Sequence, residues 1–303
     1  MKMFLKIVLL VFVLLILVVI LKYKTLHVIA GFKSKYLAST VFLANRDFTL
    51  TDTTDTNFFP IKLAKSTIDH KEKSVTTSIL GLQRKAIYRD GVGAVLLVDE
   101  EDKNIKTLKP NRFKSDSYND LYFPYGSKIP KDTIFSNINY NQLNSAIDSM
   151  FAPKQKTRAV LVIHKDKIVA ERYADGFDEK SLFLGWSMTK SILGTLYGVL
   201  ECEGKLKVTN KAPITEWQND DRKEITIHNL LQMNSGLAWE ENYSKLSDVT
   251  SMLYLDKDMT KSPAAKPLSG KPNESWQYSS GTSNILTGIL SCLLYTSPSP
   301  RDA

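Results

Sequence analysis

The sequence predicts a mixed α+β fold in which an antiparallel sheet is flanked by helices. Two β-rich runs, 159–164 and 168–173, are separated by polar residues, a pattern typical of an antiparallel hairpin. Apolar residues then recur at helical spacing between 187 and 202. The 303 residues are 43% hydrophobic and 24% charged, which are the proportions of a globular protein with a real core.

The N-terminus carries an apolar run from Ile7 to Leu21 between flanking lysines. Counted from Met3, a helix of this segment is about 28 Å long, close to the thickness of a hydrocarbon core. We therefore expect residues 1–25 to form a signal anchor that crosses a membrane and leaves the following domain periplasmic or extracellular. The alternatives are a cleaved signal peptide and a buried soluble helix, although no polar residues mark a second face.

The rest of the chain divides by composition into three parts. Residues 26–135 are expected to be an N-terminal extension with short strands at 75–81 and 94–98, ending in a connector that contains Pro and Gly. Residues 136–291 follow as a second domain. The final stretch, 292–303, resembles a translated sequencing adapter, so we expect a non-native tail and a domain that is incomplete at its C-terminus. A natural Pro-rich tail is the alternative.

Net charge and histidine spacing limit the kinds of binding partner and cofactor that we expect. The net charge is +8, from 40 Lys and Arg against 32 Asp and Glu, which suits an anionic surface such as lipid headgroups. No basic run has interleaved aromatic residues, so no nucleic-acid partner is expected. The four histidines are scattered without metal-ligand spacing, and no cofactor is expected. The sequence makes no prediction of oligomeric state.

The second domain is expected to begin with a short helix at 140–151, followed by the hairpin. A buried helix is predicted from 187 to 202 and ends before Gly204. Its apolar positions are Met188, Ile192, Leu193, Leu196, Val199 and Leu200. Residues 225–233 predict another helix that begins through Thr226. An irregular stretch from 236 to 272 precedes a helix that starts near 284.

Ser187 is the candidate nucleophile because Lys190 lies three residues later, on the same helical face. At a helix N-terminus, unpaired amides and the positive end of the dipole favour a developing oxyanion, so the Ser187 N–H is a candidate donor. An amine in an apolar helix is partly desolvated, and desolvation makes an amine a better proton acceptor. A solvent-facing Ser/Lys pair on an ordinary helix is the alternative.

Tyr278 is the second candidate, between a loop that contains Pro and Gly and a new helix. A phenol near an ammonium has its anionic form stabilised, so it can take a proton from a serine. By itself this tyrosine is more typical of a core or interface aromatic residue.

With these elements together, the chain resembles the serine β-lactamase and penicillin-binding-protein superfamily from about residue 157 to 291. The resemblance rests on Ser187 to Lys190, on the stretch from Ile225 to Leu237, and on Tyr278 to Ser280. The Tyr-Ser-Ser form is similar to the branch of 6-aminohexanoate-dimer hydrolase and related esterases. The resemblance implies a β-lactamase-like antiparallel sheet flanked by helices, with a helical subdomain.

The same resemblance implies two substrate-binding residues. Ser280 stands where the third motif of most of the superfamily has asparagine. Tyr243 corresponds to a mobile-loop residue that contacts the substrate amide, and the alternative for it is an ordinary loop aromatic residue. The family also carries a late strand motif, Lys-Thr-Gly or His-x-Gly, which supplies a second oxyanion donor. No such motif follows Tyr278, so the chain as given is expected to be an inactive fragment.

The resemblance implies a serine hydrolase that cleaves a small-molecule amide or ester through an acyl-enzyme intermediate. Ser187 would be the nucleophile, with Lys190 and Tyr278 as the groups that take its proton. A β-lactamase or D-alanyl-D-alanine peptidase is an alternative, which the serine at 280 argues against. An alternative of another class is a membrane-tethered binding or sensor domain that is acylated without turnover.

Overall fold

The structure is a computed structural model that describes Phe4 and residues 22–98, 120–123, 125–126, 128 and 134–295, without the side chain of Tyr295. Residues 1–3 and 5–21, which form most of the predicted anchor, lie outside the described residues, as do 296–303 of the predicted tail. Within the described ranges, none of the helices combines the length and hydropathy that a bilayer span requires.

The chain forms two compact units. One consists of Met1–Thr107 and Leu184–Ala303, and the other of Leu108–Phe183. The first unit thus combines the N-terminal part of the chain with the segment that contains the candidate catalytic residues. The domain boundaries predicted from composition stay a prediction.

The N-terminal part of the first unit is a four-stranded antiparallel sheet with a long helix. Helix α1 spans Tyr23–Phe42 and α2 spans Phe48–Thr54. The strands are β1 (Lys65–Asp69), β2 (Ser74–Ile79), β3 (Leu82–Arg89) and β4 (Gly93–Leu96), in the spatial order β1-β2-β3-β4. Leu37 and Ala38 of α1 pack on Val75 and Ala86 of the sheet, which buries one of its faces.

Two of these strands were predictable and two were not. The runs 75–81 and 94–98 overlap β2 and β4, which confirms them as strands. Strand β3 contains Gln83, Arg84 and Lys85, and polar residues at these positions hide a strand from a hydrophobicity pattern. Arg84 is nevertheless buried, and it donates to the carbonyl of Leu97 at 3.1 Å.

The second unit contains the predicted helix and hairpin. Helix α3 spans Tyr140–Met150, and strands β5 (Ala159–His164) and β6 (Lys167–Tyr173) pair antiparallel. Lys165 and Asp166 form the two-residue turn with φ of 47° and 58°. Positive φ at both central positions matches the twist of a hairpin, so the predicted hairpin is confirmed.

The predicted helix at 187–202 exists but is not buried as expected. A 3₁₀ turn at Trp186–Met188 leads into α4, which spans Thr189–Cys202, and Gly204 follows with φ of +71°. Tyr197 and Leu200 are buried, whereas Met188 is 69% and Ile192 63% exposed. The prediction of burial was wrong for the stripe formed by Met188, Ile192, Leu196 and Val199, because the helix packs through its other face.

Four further helices complete this part of the first unit. They are α5 (Ile227–Leu231), α6 (Asp248–Tyr254), α7 (Lys261–Ala264) and α8 (Ser280–Tyr295). Thr226 caps α5 as predicted, and its side chain and that of Asn229 form a capping box. The predicted irregular stretch 236–272 contains α6 and α7. Helix α6 begins at a side-chain cap, Ser247, and α7 is only four residues long, so an apolar pattern shows neither helix.

Helix α8 begins at Ser280, four residues earlier than predicted, and continues through Tyr295 into the predicted tail. It packs with α4 and α5 around one core, so the N-terminal ends of α4 and α8 are held close together. The buried members of this core are Tyr197, Leu200, Ala212, Trp217, Ile225, Ile227, Leu230, Leu237, Ile285, Leu286, Ile289 and Leu290.

Candidate active site

Ser187 lies in the 3₁₀ turn that precedes α4, and its side chain is exposed. The residue before it, Trp186, has φ of 43°, a left-handed conformation that is uncommon for a bulky residue. Its ring stacks on that of Phe32 at a centroid distance of 6.2 Å. The chain therefore turns sharply immediately before the serine and presents the hydroxyl at the start of the helix.

Lys190 contacts both serines of the two sequence motifs. Its Nζ lies 3.1 Å from Ser187 Oγ and 3.1 Å from Ser280 Oγ. The first contact follows from the i, i+3 spacing on one helical face, as the sequence predicts. The second joins residues ninety positions apart and requires the packing of α4 against α8. The amine is thus held between two hydroxyl groups at the helix ends.

Tyr278 approaches Lys190 through its ring. Lys190 Nζ lies 5.2 Å from the ring centroid, within the distance of a cation–π contact. Among the described residues, no hydrogen bond joins the Tyr278 hydroxyl to Ser187 or to Lys190. The structure therefore brings the predicted tyrosine to the amine, but by its aromatic face.

Backbone contacts with the stretch 225–237 position the segment that carries Tyr278. The amide of Gln277 donates to the carbonyl of Met233 at 2.9 Å. The side-chain amide of Asn229 bridges to Asn234 at 3.0 Å and to Asn273 at 2.8 Å. The long middle motif thus acts as a framework that holds the loop before α8.

Gly236 is required at its position by a close approach of two chains. Its φ is +77°, and an added Cβ would lie 2.3 Å from the carbonyl oxygen of Gly270. The amide of Ser269 donates to the Gly236 carbonyl at 2.8 Å. Any side chain here would displace backbone rather than a flexible group, so the motif needs glycine at this point.

Ser280 is buried at the first position of α8, and its hydroxyl is fully engaged. Its Oγ accepts from Lys190 and lies 2.5 Å from Glu241 Oε1, to which it donates. Its backbone amide donates to Glu241 Oε2 at 2.8 Å. Tyr243, the other predicted substrate-binding residue, lies beside this pair, with its hydroxyl 3.4 Å from Ser280 Oγ.

Sequence reasoning missed Glu241, which lies at the centre of this network. Its carboxylate accepts from Trp239 Nε1 at 2.5 Å and from the Tyr243 hydroxyl at 2.7 Å, in addition to both groups of Ser280. The alternate spacing of residues 239, 241 and 243 is a signal that could have found it, because an extended chain places alternate side chains on one side. A carboxylate between two aromatic donors at this spacing predicts such a cluster.

The electrostatics of the network favour an ionised Glu241. Burial acts to raise the pKa of this carboxyl group, but hydrogen bonds from Ser280, Tyr243 and Trp239 outweigh it and lower the pKa below its ordinary value. Burial, together with the neighbouring Glu241 carboxylate, raises the pKa of Tyr243 to about 12, against a smaller opposite effect of the Ser280 hydroxyl. At neutral pH the carboxylate therefore accepts hydrogen bonds and Tyr243 donates one.

A match to a known protein family covers this site. Residues 147–291 match the family model described as Beta-lactamase. This segment belongs to the serine β-lactamase-like superfamily. The β-lactamase-like segment is just under half of the chain, and it includes Ser187, Lys190, Glu241, Tyr243 and the motif from Tyr278 to Ser280.

Comparisons with curated sequences and with solved structures gave different results. A search of curated protein sequences returned no match. Among solved structures, the chain is similar to "Putative 6-aminohexanoate-dimer hydrolase from Bacillus anthracis", with 21% sequence identity and a TM-score of 0.40. The alignment covers 50% of this chain and 42% of that protein, so this chain spans less than half of its length.

The site's side chains do not form a metal centre. Within the ranges that the structure describes, no group of three or more His, Cys, Asp or Glu side chains has a geometry that could hold a metal ion. The chemistry available to the β-lactamase-like segment is that of a hydroxyl, an amine, a phenol and a carboxylate joined by hydrogen bonds.

Proposed function

We propose that the protein is a serine hydrolase that cleaves an amide or ester bond through an acyl-enzyme on Ser187. The observation that carries this proposal is the 3.1 Å distance between Ser187 Oγ and Lys190 Nζ. A nucleophile within hydrogen-bond reach of a base, which a third group orients, is the arrangement that activated serines use. Here Ser280 contacts the same amine and orients it.

The proposed reaction begins when Lys190, as a neutral amine, accepts the hydroxyl proton of Ser187. The serine oxygen attacks the carbonyl carbon and forms a tetrahedral intermediate, whose oxyanion is favoured by the helix N-terminus and the Ser187 N–H. The intermediate expels an amine or alcohol, which takes up a proton from the site. Water then hydrolyses the acyl-enzyme and restores the serine.

Tyr278 is the other group that could take the Ser187 proton. The direct contact of Lys190 with the serine supports the lysine as the first acceptor, whereas the tyrosine contacts the lysine with its ring. In this arrangement the tyrosine stabilises the ammonium that forms after proton transfer. Lys190, which holds the proton after its transfer from Ser187, then returns it to the departing amine or alcohol.

The proposed substrate class is a short amide or ester, as in 6-aminohexanoate oligomers and simple acyl esters. Tyr243 and Ser280 are the proposed substrate-binding residues, since both lie next to the amine that contacts Ser187. A β-lactam or a D-alanyl-D-alanine peptide is the alternative substrate. The serine at position 280 lacks the amide group with which asparagine would bind such substrates.

A fluorophosphonate probe on the full-length protein tests the assignment. We expect mass spectrometry to find the adduct on Ser187 and Ser187→Ala to lose it. Ser191→Ala is the matched control, because Ser191 is an exposed serine of the same helix and is adjacent to Lys190 in the sequence. Labelling that persists in Ser187→Ala would refute the proposal.

Steady-state assays then separate the alternatives. We expect turnover of p-nitrophenyl acyl esters and of short amides. Turnover of the β-lactam nitrocefin without turnover of the esters would favour the β-lactamase alternative. A stable Ser187 adduct with no steady state after the burst would favour a binding or sensor domain that is acylated once.

We propose in addition that residues 1–25 anchor the protein in a membrane, with the hydrolase segment periplasmic or extracellular. The support is the length and apolar character of the run from Ile7 to Leu21. Extraction of membranes with alkaline carbonate tests the anchor, and protease added to intact cells tests the side. Release into the soluble fraction would contradict the anchor.

A further inference from the structure

The Glu241 carboxylate accepts four hydrogen bonds from its neighbours. Two donors are N–H groups, from the Trp239 ring and the Ser280 backbone, and two are hydroxyl groups, from Tyr243 and Ser280. An ionised carboxylate only accepts, so the direction of each of these bonds is determined. None of the proposed catalytic roles uses Glu241 directly.

These bonds determine the direction of the next one in the chain. A serine hydroxyl has one hydrogen and two lone pairs, and that of Ser280 gives its hydrogen to Glu241. The hydrogen of Tyr243 also goes to Glu241, since that contact is 2.7 Å against 3.4 Å to Ser280. Ser280 Oγ therefore faces Lys190 as an acceptor, and Lys190 must donate to it.

We propose that Glu241 is a positioning residue that fixes the orientation of the Lys190 amine through Ser280. One N–H of the amine is committed to Ser280, which leaves the lone pair free to face Ser187, 3.1 Å away on the other side. If Ser280 could instead donate to the amine, it would compete with Ser187 for the same lone pair. This inference rests on the proposed function, because it concerns how the serine is activated.

The negative charge at position 241 therefore sets the direction of the hydrogen bond with Ser280. Glutamine has the same shape but carries an NH₂ group, which can donate to Ser280 and reverse the direction of the bond. The Ser280 hydrogen would then be free to occupy the Lys190 lone pair. We expect Glu241→Gln to slow the reaction of Ser187 about tenfold or more, within the range that misplacing a general base costs.

The experiment measures the rate of fluorophosphonate labelling of the full-length protein for wild type, Glu241→Gln, Ser280→Ala and the double variant. Glu240→Gln is the matched control, since Glu240 is the neighbouring glutamate and forms an ion pair with Lys245. The control is expected to label at the wild-type rate. The double variant is expected to be labelled no more slowly than the slower single variant, because both substitutions disrupt the same hydrogen-bond chain from Glu241 through Ser280 to Lys190.

Three outcomes contradict the inference or its basis. A Glu241→Gln protein that labels like Glu240→Gln would overturn the role of Glu241 while leaving the hydrolase assignment intact. If the rate reductions of the two single variants multiply in the double variant, Glu241 does not act through Ser280. A wild-type protein that is not labelled at Ser187 would overturn the proposed function and this inference together.

Two further readouts separate positioning from loss of folding. With an ester substrate, Glu241→Gln is expected to lower kcat with little change in KM. Labelling carried to completion counts the molecules with a reactive Ser187, and this count is expected to equal that of wild type, whereas a loss of structure would lower it. If Glu241→Gln unfolds below the assay temperature, Ser280→Ala tests the same path by itself. Labelling of Ser280→Ala at the wild-type rate would then overturn the inference.

Discussion

The hydroxyl of Tyr197 donates to the carbonyl oxygen of Leu286 at 2.7 Å. Tyr197 is fully buried in α4, and Leu286 lies in α8, so this bond joins the two helices whose first turns carry Lys190 and Ser280. Burial raises the pKa of the Tyr197 phenol well above its usual value, so the group stays a donor. This contact adds to the core packing that holds the two halves of the site together.

Tyr197→Phe is therefore expected to lower the stability of the protein and to loosen the packing of α4 against α8 at the site. The substitution removes a buried hydrogen bond, although the Leu286 carbonyl keeps its partner within α8, and we expect a loss of about 1 kcal/mol in the free energy of unfolding. Urea denaturation measures this loss. Tyr173→Phe is a suitable control, because the Tyr173 hydroxyl is exposed and bonds only a neighbouring side chain on its own strand, and its removal should cost less.

Lys190→Met tests the amine as the group that activates Ser187. Methionine keeps most of the length of the side chain but cannot accept a proton, so we expect acylation to slow by about 10²–10⁴, the usual contribution of a general base. The rate of fluorophosphonate labelling measures this effect. A loss of less than threefold would instead point to Tyr278 as the immediate base.

Two substitutions at Tyr278 separate the ring from the hydroxyl. Phenylalanine keeps the aromatic face over Lys190, and alanine removes it. Because an exposed cation–π contact contributes about 0.5–1 kcal/mol, Tyr278→Ala should be about two- to fivefold slower than Tyr278→Phe. Equal acylation rates for the two variants would show that the ring contact does not affect catalysis.

Glu241 is expected to make stability depend on pH in the acid range. Its folded-state pKa is lowered, so its contribution is fully present above the unfolded pKa of a glutamate, about 4.3, and is lost as the pH falls through the folded value. Tyr243, with a pKa of about 12, does not titrate in this range. Urea midpoints of wild type and Glu241→Gln should converge as the pH is lowered below about 4. Midpoints that differ by a constant amount from pH 7 to pH 3 would contradict the assigned direction.

The N-terminal part of the first unit contains a buried ion pair whose loss should be costly. Lys33 Nζ lies 2.7 Å from Asp52 Oδ1, and the lysine side chain is only 4% exposed. Asp52→Asn leaves this ammonium without its charge partner, and we expect a loss of about 3 kcal/mol on urea unfolding. Asp90→Asn is the matched control, since its pair with Lys73 is exposed and should contribute less than about 1 kcal/mol. Similar losses for the two variants would contradict this prediction.

Much of the local structure could be predicted. The hairpin 159–173, the start of α5 at Thr226 and the end of α4 before Gly204 each depend on a few neighbouring residues, so their signals lie in short sequence windows. Strand β3 and helices α6 and α7 were missed, since their sequences are polar or short and their burial comes from distant partners.

The burial of α4 shows that apolar periodicity alone does not predict which face of a helix is covered. Apolar spacing predicts that a helix has an apolar stripe, but not which stripe a partner covers. In the structure the covered face is that of Tyr197 and Leu200, and the stripe through Ile192 is exposed. Coverage is decided by the packing of other elements, which the sequence of one helix does not contain.

The sequence by itself determined the pairing of Ser187 with Lys190, because three residues along a helix bring two side chains to one face whatever surrounds them. Only the tertiary structure decided that Ser280 lies on the other side of the amine, that Tyr278 presents its ring, and that Glu241 directs the hydrogen bonds. Those contacts join segments 37 to 90 residues apart, and they form only when the helices pack.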